Sequence, residues 1–247
     1  MRIFGDYHTH TIFSRNNHGK STIEENVISA KEKGLKEIAI TDHCLNHRFY
    51  GARRKNLAFM REECDRLSEK YGIKVLLGLE TNLLSQRGDI DLKKEDRKLL
   101  DIVLMGYHNA VKPYKFKDNF FLLNSKIFHT QKQIQKNTDA YLKSIEKNDI
   151  NIITHLNYGV PVFTKQVAKF ANEKGTLIEL NGKRIFFSEQ DIEDLLSLNT
   201  KFIINSDAHH KKDVGETNLG LNFVIKNNIP FENVVNLDKV PNFKLNK

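Results

Sequence analysis

Residues 2–10 are RIFGDYHTH, a short apolar run that ends in two histidines separated by one threonine. The run over 2–7 is typical of a β-strand that is buried on both faces. Because side chains two positions apart on a strand point the same way, His8 and His10 are placed to bind one metal ion. A single pair of this kind often arises by chance, so its significance depends on the rest of the chain.

The same pattern, an apolar run followed by polar residues, recurs along the chain. Further strands are predicted at residues 37–41, 74–79, 101–107, 151–154, 176–180 and 201–205, with a weaker eighth candidate at 233–237. Helices are predicted at 22–33, 57–70, 131–147, 163–174 and 188–198. Thr22 with Glu25 and Ser188 with Asp191 are spaced as capping boxes at two of these helix starts.

Alternation of strands and helices predicts a parallel sheet with right-handed crossovers. No linker or change in composition divides the chain, so we expect one domain over residues 1–247. Closure into a barrel is favoured over an open, doubly wound sheet. The chain has no glycine-rich phosphate-binding loop of either usual type, which weakens a nucleotide-binding Rossmann or P-loop interpretation.

Composition excludes several classes of protein. The 247 residues are 39% hydrophobic and 28% charged, with 13 Gly and 4 Pro, which excludes collagen-like and largely disordered chains. No apolar stretch approaches the roughly 18 residues of a membrane span, so no membrane partner is expected. The N-terminus lacks a secretory signal and two cysteines cannot build a disulfide framework, so a cytoplasmic protein is expected. The net charge of +8 favours anionic partners.

Six of the seven main predicted strands end in histidine or acidic residues. These residues are His8, His10, His43, Glu80, His108, His155, Asp207 and His209. In a parallel barrel all strand ends open on one face, where catalytic groups collect. Imidazoles and carboxylates packed so closely are unfavourable unless cations hold them together. The pattern therefore predicts a metal centre.

The other histidines have weaker patterns. His18 lies in the loop 14–19 after the first strand, and its position alone leaves open whether it is a ligand or a surface residue. His47 and His129 lie in polar, basic surroundings and are expected on the surface. His210 directly follows a candidate ligand and should point elsewhere.

Taken together, these residues resemble the PHP family, named for its polymerase and histidinol phosphatase members. The resemblance spans roughly residues 3–225 and is carried in order by residues 6–11, 40–43, 78–80, 108, 155 and 206–209. It implies an α/β fold, a single-domain distorted (β/α)7 barrel with a metal cluster at the C-terminal mouth of the strands.

The resemblance also implies a ligand set for three divalent ions. The implied ligands are His8, His10, His18, His43, Glu80, His108, His155, Asp207 and His209. His8, His10 and Asp207 would hold one ion, His108 and His155 a second with Glu80 bridging, and His18, His43 and His209 the third. Mixed histidine and carboxylate ligands suit zinc, manganese or iron better than calcium, and spacing alone leaves the metal open.

The expected reaction is hydrolysis of a phosphate monoester by water that the metal activates, since a bound ion can lower the pKa of water to about 7. Asp207, Glu80 and His209 are the candidate catalytic residues, and Asp207 would also orient the water. Asp42 is expected either to accept a hydrogen bond from a ligand imidazole or to cap the local structure.

A small phosphorylated substrate requires cationic neighbours. Arg15, Lys183 and Arg184 are the main candidates for binding its phosphate, and Lys20 and Arg87 are further loop candidates. Each of them is equally compatible with a solvated surface charge.

Alternative functions keep the metal and change the substrate. One is a histidinol-phosphate phosphatase, although Asp42 occupies the position where that branch tends to carry Glu. Another is a 3′–5′ exonuclease or phosphodiesterase, which would act on nucleic acid or on nucleotides. That alternative is not favoured, because no aromatic-rich strand surface for base stacking stands out. A non-catalytic metal-stabilised domain ranks last, because all the ligand positions are filled.

Overall fold

The computed structural model describes residues 1–243 and contains a barrel of parallel strands. Seven strands pair in chain order, each with the next. They are β1 (Gly5–Thr9), β2 (Glu37–Ile40), β3 (Lys74–Asn82), β4 (Ile102–Gly106), β5 (Ile152–Ile153), β6 (Leu177–Asn181) and β7 (Phe202–Asn205). The predicted (β/α)7 fold class is confirmed.

Helices surround the strands. They are α1 (Ile23–Glu32), α2 (Leu57–Tyr71), α3 (Lys94–Arg97), α4 (Asp118–Ile127), α5 (Gln131–Asn148), α6 (Thr164–Lys174), α7 (Glu189–Ser197) and α8 (Asn218–Lys226). Both predicted capping boxes are present, with Thr22 and Glu25 at α1 and Ser188 and Asp191 at α7. The sequence patterns missed α3, α4 and α8. Within residues 1–243, no helix is both long and apolar enough to span a membrane.

Several strand boundaries lie closer to the C-terminus than predicted. β1 includes His8, and β3 continues through Glu80. These two polar side chains therefore lie on strands and not in the loops that follow them. The eighth candidate strand, at 233–237, is wrong. Its start lies in a 3₁₀ helix over Phe231–Asn233, and Val234 makes only an isolated bridge to β7.

That C-terminal segment instead helps to close the barrel between β1 and β7. The backbones of these strands meet beyond the end of β7, where Thr9 bridges Ala208. Farther down, the buried side chain of Asn236 fills the gap. Its Nδ2 donates to the carbonyls of Gly5 and Ile204, at 2.9 and 2.6 Å, and its Oδ1 accepts from Ile204 N at 3.0 Å. One amide side chain thus replaces missing ladder hydrogen bonds.

Two more buried side chains tie β1 to the end of β7. Oδ1 of Asn205 accepts from Tyr7 N at 3.0 Å. The Asp6 carboxylate accepts from the backbone N–H and the hydroxyl of Ser206, and from Gly215 N at 2.8 Å. Polar side chains rather than a continuous ladder therefore close the seam, at the end of the barrel where the predicted ligands lie.

We expect Asn236→Ala to lower the free energy of unfolding by about 3 kcal/mol, because it leaves buried backbone groups of Gly5 and Ile204 without partners. Urea denaturation of the purified protein measures this change. Asn222→Ala is the control, since Asn222 is exposed on α8. A loss no larger than that of the control would show that the seam does not depend on this amide.

Candidate metal centre

The predicted ligands come together at the carboxyl ends of the strands. His8 lies on β1 and Glu80 on β3, and the others follow β1, β2, β4, β5 or β7 in loops. The full set in this cluster is His8, His10, His18, His43, Glu80, His108, His155, Asp207 and His209, and each has a nitrogen or oxygen within 3.4 Å of another member. We call this set the donor cluster.

Imidazole nitrogens face one another within the donor cluster. Nε2 of His8 lies 3.1 Å from Nε2 of His10. Nε2 of His18 lies 3.1 Å from Nε2 of His43 and 2.8 Å from Nε2 of His209. A neutral imidazole has one N–H and one lone pair, so several nitrogens aimed at a common space are typical of a cation-binding site.

The carboxylate of Glu80 occupies the centre of the donor cluster. Its Oε1 lies 2.9 Å from Nε2 of His155 and 3.1 Å from Nε2 of His108, and its Oε2 lies 2.9 Å from Nδ1 of His43. Burial alone would raise its pKa, but the neighbouring imidazoles of His108, His8 and His43 outweigh burial and hold the pKa well below its usual range. Glu80 is therefore an anion that several histidines share.

Several buried imidazoles are neutral at physiological pH, which is the form that binds metal. Burial lowers the pKa of His43 to about 3 although the Glu80 carboxylate opposes this shift. Burial, with a smaller contribution from the charge of His209, lowers the pKa of the half-buried His18 to about 4. The pKa of His10 is well below its usual value, because burial and the charges of His209 and His43 oppose protonation.

Three groups of side chains have donor atoms within 4.8 Å of one another, and each could hold an ion. They are His8, His10 and Asp207; His43, Glu80 and His108; and His10, His43 and His209. The first group is one that the resemblance implies. The other two differ from the implied groups, because His43 lies with Glu80 and His108 in one and with His10 and His209 in the other. Among the described residues, Nδ1 of His43 and of His108 is buried without an aligned hydrogen-bond partner. The donor set therefore fits transition-metal ions.

Comparison with known proteins places the chain in a family. The model of the PHP domain matches residues 6–206. The chain belongs to the PHP family.

Relatives of this PHP chain are known in several bacteria. A protein named "Probable phosphatase" from Caldanaerobacter subterraneus subsp. tengcongensis is 29% identical over 259 residues, covering 98% of this chain and 91% of that protein. Another of that name from Shewanella piezotolerans is 29% identical, covering 96% and 90%. A histidinol phosphate phosphatase from Lactococcus lactis subsp. lactis, solved with zinc, L-histidinol and phosphate, aligns over 100% of both chains with TM-score 0.63 and 16% identity. At that identity the structural match shows a shared fold.

A buried carboxylate on β6, Glu179, supports the donor cluster from behind. Its Oε1 lies 2.8 Å from Nδ1 of His8 and accepts from Asn205 Nδ2 at 3.0 Å. Its Oε2 accepts from His155 N and from Asn181 Nδ2, each at 2.9 Å. Because His8 donates its Nδ1 proton to this carboxylate, its Nε2 faces the donor cluster. The sequence analysis did not single out Glu179, although an acidic residue inside an apolar strand was a usable signal.

Two members of the donor cluster have strained backbones. His155 has φ of 30° and Asp207 has φ of 54°, both in the left-handed region that non-glycine residues rarely adopt. The hydrogen bond from His155 N to Glu179 helps to hold the first of these conformations. Strain of this kind persists where surrounding contacts overdetermine it, as they do at this PHP site.

Asp42 supports the loop after β1, and within residues 1–243 it makes no direct hydrogen bond to an imidazole. Its carboxylate accepts from the backbone N–H and hydroxyl of both Thr11 and Ser14. Oγ of Ser14 in turn lies 3.3 Å from Nδ1 of His10. Of the two expectations for Asp42, the structure therefore shows the structural one, with its effect on His10 passing through Ser14.

His47 is buried at the cavity wall, with 5% exposure, so its predicted surface position is wrong. Its ring stacks on His43 and on Tyr50, with centroids 5.2 and 4.8 Å away. Its Nδ1 accepts from Tyr50 N at 3.1 Å. Aromatic stacking and this bond offset the cost of burying it, which its local sequence does not reveal. His129 is exposed, as predicted.

Two predicted phosphate-binding arginines have side chains that bind groups outside the donor cluster. Nε of Arg15 donates to the carbonyl of Gly51, and the side chain borders a separate surface pocket. Arg87 forms ion pairs with Asp89 and Asp118. Both were candidates because they lie in loops, but carbonyl and carboxylate groups outside the donor cluster bind their guanidinium groups. Lys20 is exposed.

Lys183 and Arg184 do line the cavity at the donor cluster. This cavity has a volume of about 460 Å³. Nζ of Lys183 lies 2.7 Å from Nδ1 of His209 and 3.4 Å from Oδ1 of Asp207. The aromatic rings of Tyr158 and Phe186 line the same cavity. It therefore combines metal-binding donors, two cations and apolar rings.

We expect Glu179→Gln to weaken zinc binding about 10–100-fold, because loss of the outer carboxylate frees the His8 ring and leaves donors facing an amide NH₂. Competition with a chromogenic chelator measures this affinity. Glu173→Gln, at an exposed position of α6, is the matched control. Equal zinc affinity in the two variants would contradict the supporting role of Glu179.

Proposed function

We propose that this PHP chain is a metal-dependent hydrolase of phosphate monoesters with a trinuclear metal centre. The observation that carries the proposal is the convergence of seven histidines and two carboxylates from separate strand ends in one cluster, with Lys183 at its edge. Nitrogen donors outnumber oxygen donors in this cluster, which suits zinc, manganese or iron better than calcium.

The metal ligands in this proposal are the residues of the donor cluster. When bound, divalent ions supply acidified water as the nucleophile and neutralise the charge that develops on the phosphoryl group. His8, His10 and Asp207 would hold one ion, and Glu80 would be shared between two because both of its oxygens contact histidines. The nine donors are enough for three ions.

The protein's own residues position the substrate and its attacking water. Lys183 offers an ammonium group to the phosphate beside His209 and Asp207. Asp207 is 15% exposed at its side chain and borders the cavity, so its carboxylate can accept a hydrogen bond from the water and orient it. Phosphoryl transfer asks a protein mainly for such positioning and charge stabilisation.

Relatives support the substrate class. The curated relatives named as phosphatases cover nearly the whole of this chain. The Lactococcus lactis protein of the same fold was solved with phosphate and L-histidinol, and this favours histidinol phosphate as the second candidate substrate. A small phosphate ester also fits a cavity of about 460 Å³ better than a nucleic acid strand does.

We expect the purified protein to contain three transition-metal ions per chain and to hydrolyse p-nitrophenyl phosphate. Removal of metal by a chelator should abolish hydrolysis, and zinc, manganese or iron should restore it. His8→Ala should lower kcat/KM at least about 1,000-fold, because it removes a metal-binding nitrogen that lies beside the carboxylates of Glu80 and Asp207. Elemental analysis and a colorimetric assay measure these outcomes.

The control is His129→Ala, which removes an exposed histidine outside the donor cluster. Full activity in His8→Ala, or in the metal-free protein, would overturn the proposed centre. A sharp preference for histidinol phosphate would favour the dedicated phosphatase instead. Faster hydrolysis of bis(p-nitrophenyl) phosphate or of single-stranded DNA ends would favour the phosphodiesterase.

A further inference from the structure

Residues 181–184, the last residue of β6 and the loop after it, form what we call the cation loop, which is anchored to the carboxylates of the site. Oδ1 of Asn181 accepts from the backbone N–H groups of Lys183 and Arg184, at 2.9 and 3.3 Å. Nδ2 of the same side chain donates to Glu179 at 2.9 Å and to Asp207 at 3.2 Å. One amide therefore fixes the cation loop relative to the donor cluster.

Gly182 adds a second constraint on the cation loop. Its N–H donates to the carbonyl of Asn205 at 2.7 Å. A Cβ at this position would lie 2.5 Å from the carbonyl oxygen of Glu216 and 2.9 Å from that of Asn205. Since these are backbone atoms that cannot move aside cheaply, glycine alone fits, and the loop is held close against β7.

The two cations of this loop have different surroundings. Lys183 contacts His209 and Asp207 in the donor cluster. The guanidinium of Arg184 instead lies over the ring of Tyr158, 5.4 Å from its centroid. Within residues 1–243 it makes no side-chain hydrogen bond or ion pair, whereas Arg61 is bound by two carboxylates.

Tyr158 links Arg184 to the donor cluster. Its ring centroid lies 5.4 Å from that of His155 on one side and 5.4 Å from that of Phe186 on the other. Arg184 therefore lies one aromatic ring away from a member of the donor cluster. All four side chains line the same cavity, so a single small molecule can contact the donor cluster and the guanidinium together.

We propose that Arg184 binds a second anionic group of the substrate, so that the preferred substrate is a phosphate monoester whose alcohol part carries another phosphate or a carboxylate. This inference rests on the proposed function and adds the substrate class. Lys183 would contact the phosphate that is hydrolysed, and Tyr158 with Phe186 would pack against the body of the alcohol.

The chemistry of arginine supports this division of roles. A guanidinium has a planar fork of donors that matches a carboxylate or phosphate with two hydrogen bonds. Packing on the Tyr158 ring orients the plane by cation–π attraction and leaves the edges of the fork for a ligand. An ammonium like that of Lys183 is a compact point charge, which suits a phosphate already surrounded by cations.

The test compares aryl phosphates that differ only in the group opposite the phosphate. The substrates are 4-carboxyphenyl phosphate, 4-carbamoylphenyl phosphate, whose amide group is uncharged, and 1,4-phenylene bisphosphate, all assayed with the metal-loaded enzyme. Arg184→Gln should lower kcat/KM about 10–100-fold for either ester that carries a second anionic group, mainly by raising KM. For the carbamoyl ester the change should stay within about twofold. The relative losses for the two anionic esters show whether carboxylate or phosphate is preferred.

Two control variants accompany the test. Arg53→Gln removes an arginine that lines a different surface pocket and should change none of the ratios. Phe186→Leu should change kcat/KM by the same factor for all three esters, because it alters only apolar packing. Equal losses for all three esters in Arg184→Gln, or no loss for any, would overturn the inference.

A binding measurement separates this inference from the proposed function. Calorimetry with 4-carboxybenzylphosphonate and 4-carbamoylbenzylphosphonate needs no turnover. Tighter binding of the carboxylate by the wild-type protein, lost in Arg184→Gln, supports the Arg184 subsite even if no ester is hydrolysed. Failure of hydrolysis alone overturns the proposed function, whereas equal binding of the two phosphonates overturns the subsite.

Discussion

The crowding of buried imidazoles around one ionised carboxylate is the constraint on which the rest of this structure depends. Glu80 contacts His43, His108 and His155 within about 3 Å, and burial keeps several of the histidines neutral. Such an arrangement is costly in a folded chain unless positive ions occupy the space that its lone pairs face. A parallel barrel meets the geometric demand, because every strand end delivers its side chains to the same mouth.

The seam of the barrel and the site are one structure. Asn205 accepts from Tyr7 N across the seam, and its Nδ2 donates to Glu179, which holds the ring of His8. Asn181 continues the same network to Asp207. Side chains that complete the fold between β1 and β7 therefore also orient the donor cluster, and a change in one is expected to affect the other.

The cavity adds substrate chemistry to this framework. Lys183 and Arg184 are neighbours in sequence, yet Lys183 contacts the donor cluster and Arg184 lies over Tyr158. Because the Tyr158 ring lies between Arg184 and His155, the PHP site has a metal-binding end, an aromatic middle and a second cationic end. That order is the basis for a substrate with two anions, whereas net charge alone favours anions without distinguishing among them.

Local patterns in the sequence were sufficient for the parallel strands and for most strand-end donors, because apolar runs and the HxH spacing reflect strand geometry directly. The seven-stranded barrel and the role of His18 came from the resemblance to the PHP family. Local patterns could not reveal Glu179 as the partner of His8, the burial of His47, or the displacement of Arg15 toward Gly51. Each of these depends on which distant side chains meet in three dimensions. The sequence by itself determined which donors reach the mouth, and only the tertiary structure decided what surrounds and orients them, because hydrogen bonds and stacking between remote segments leave no periodic signal.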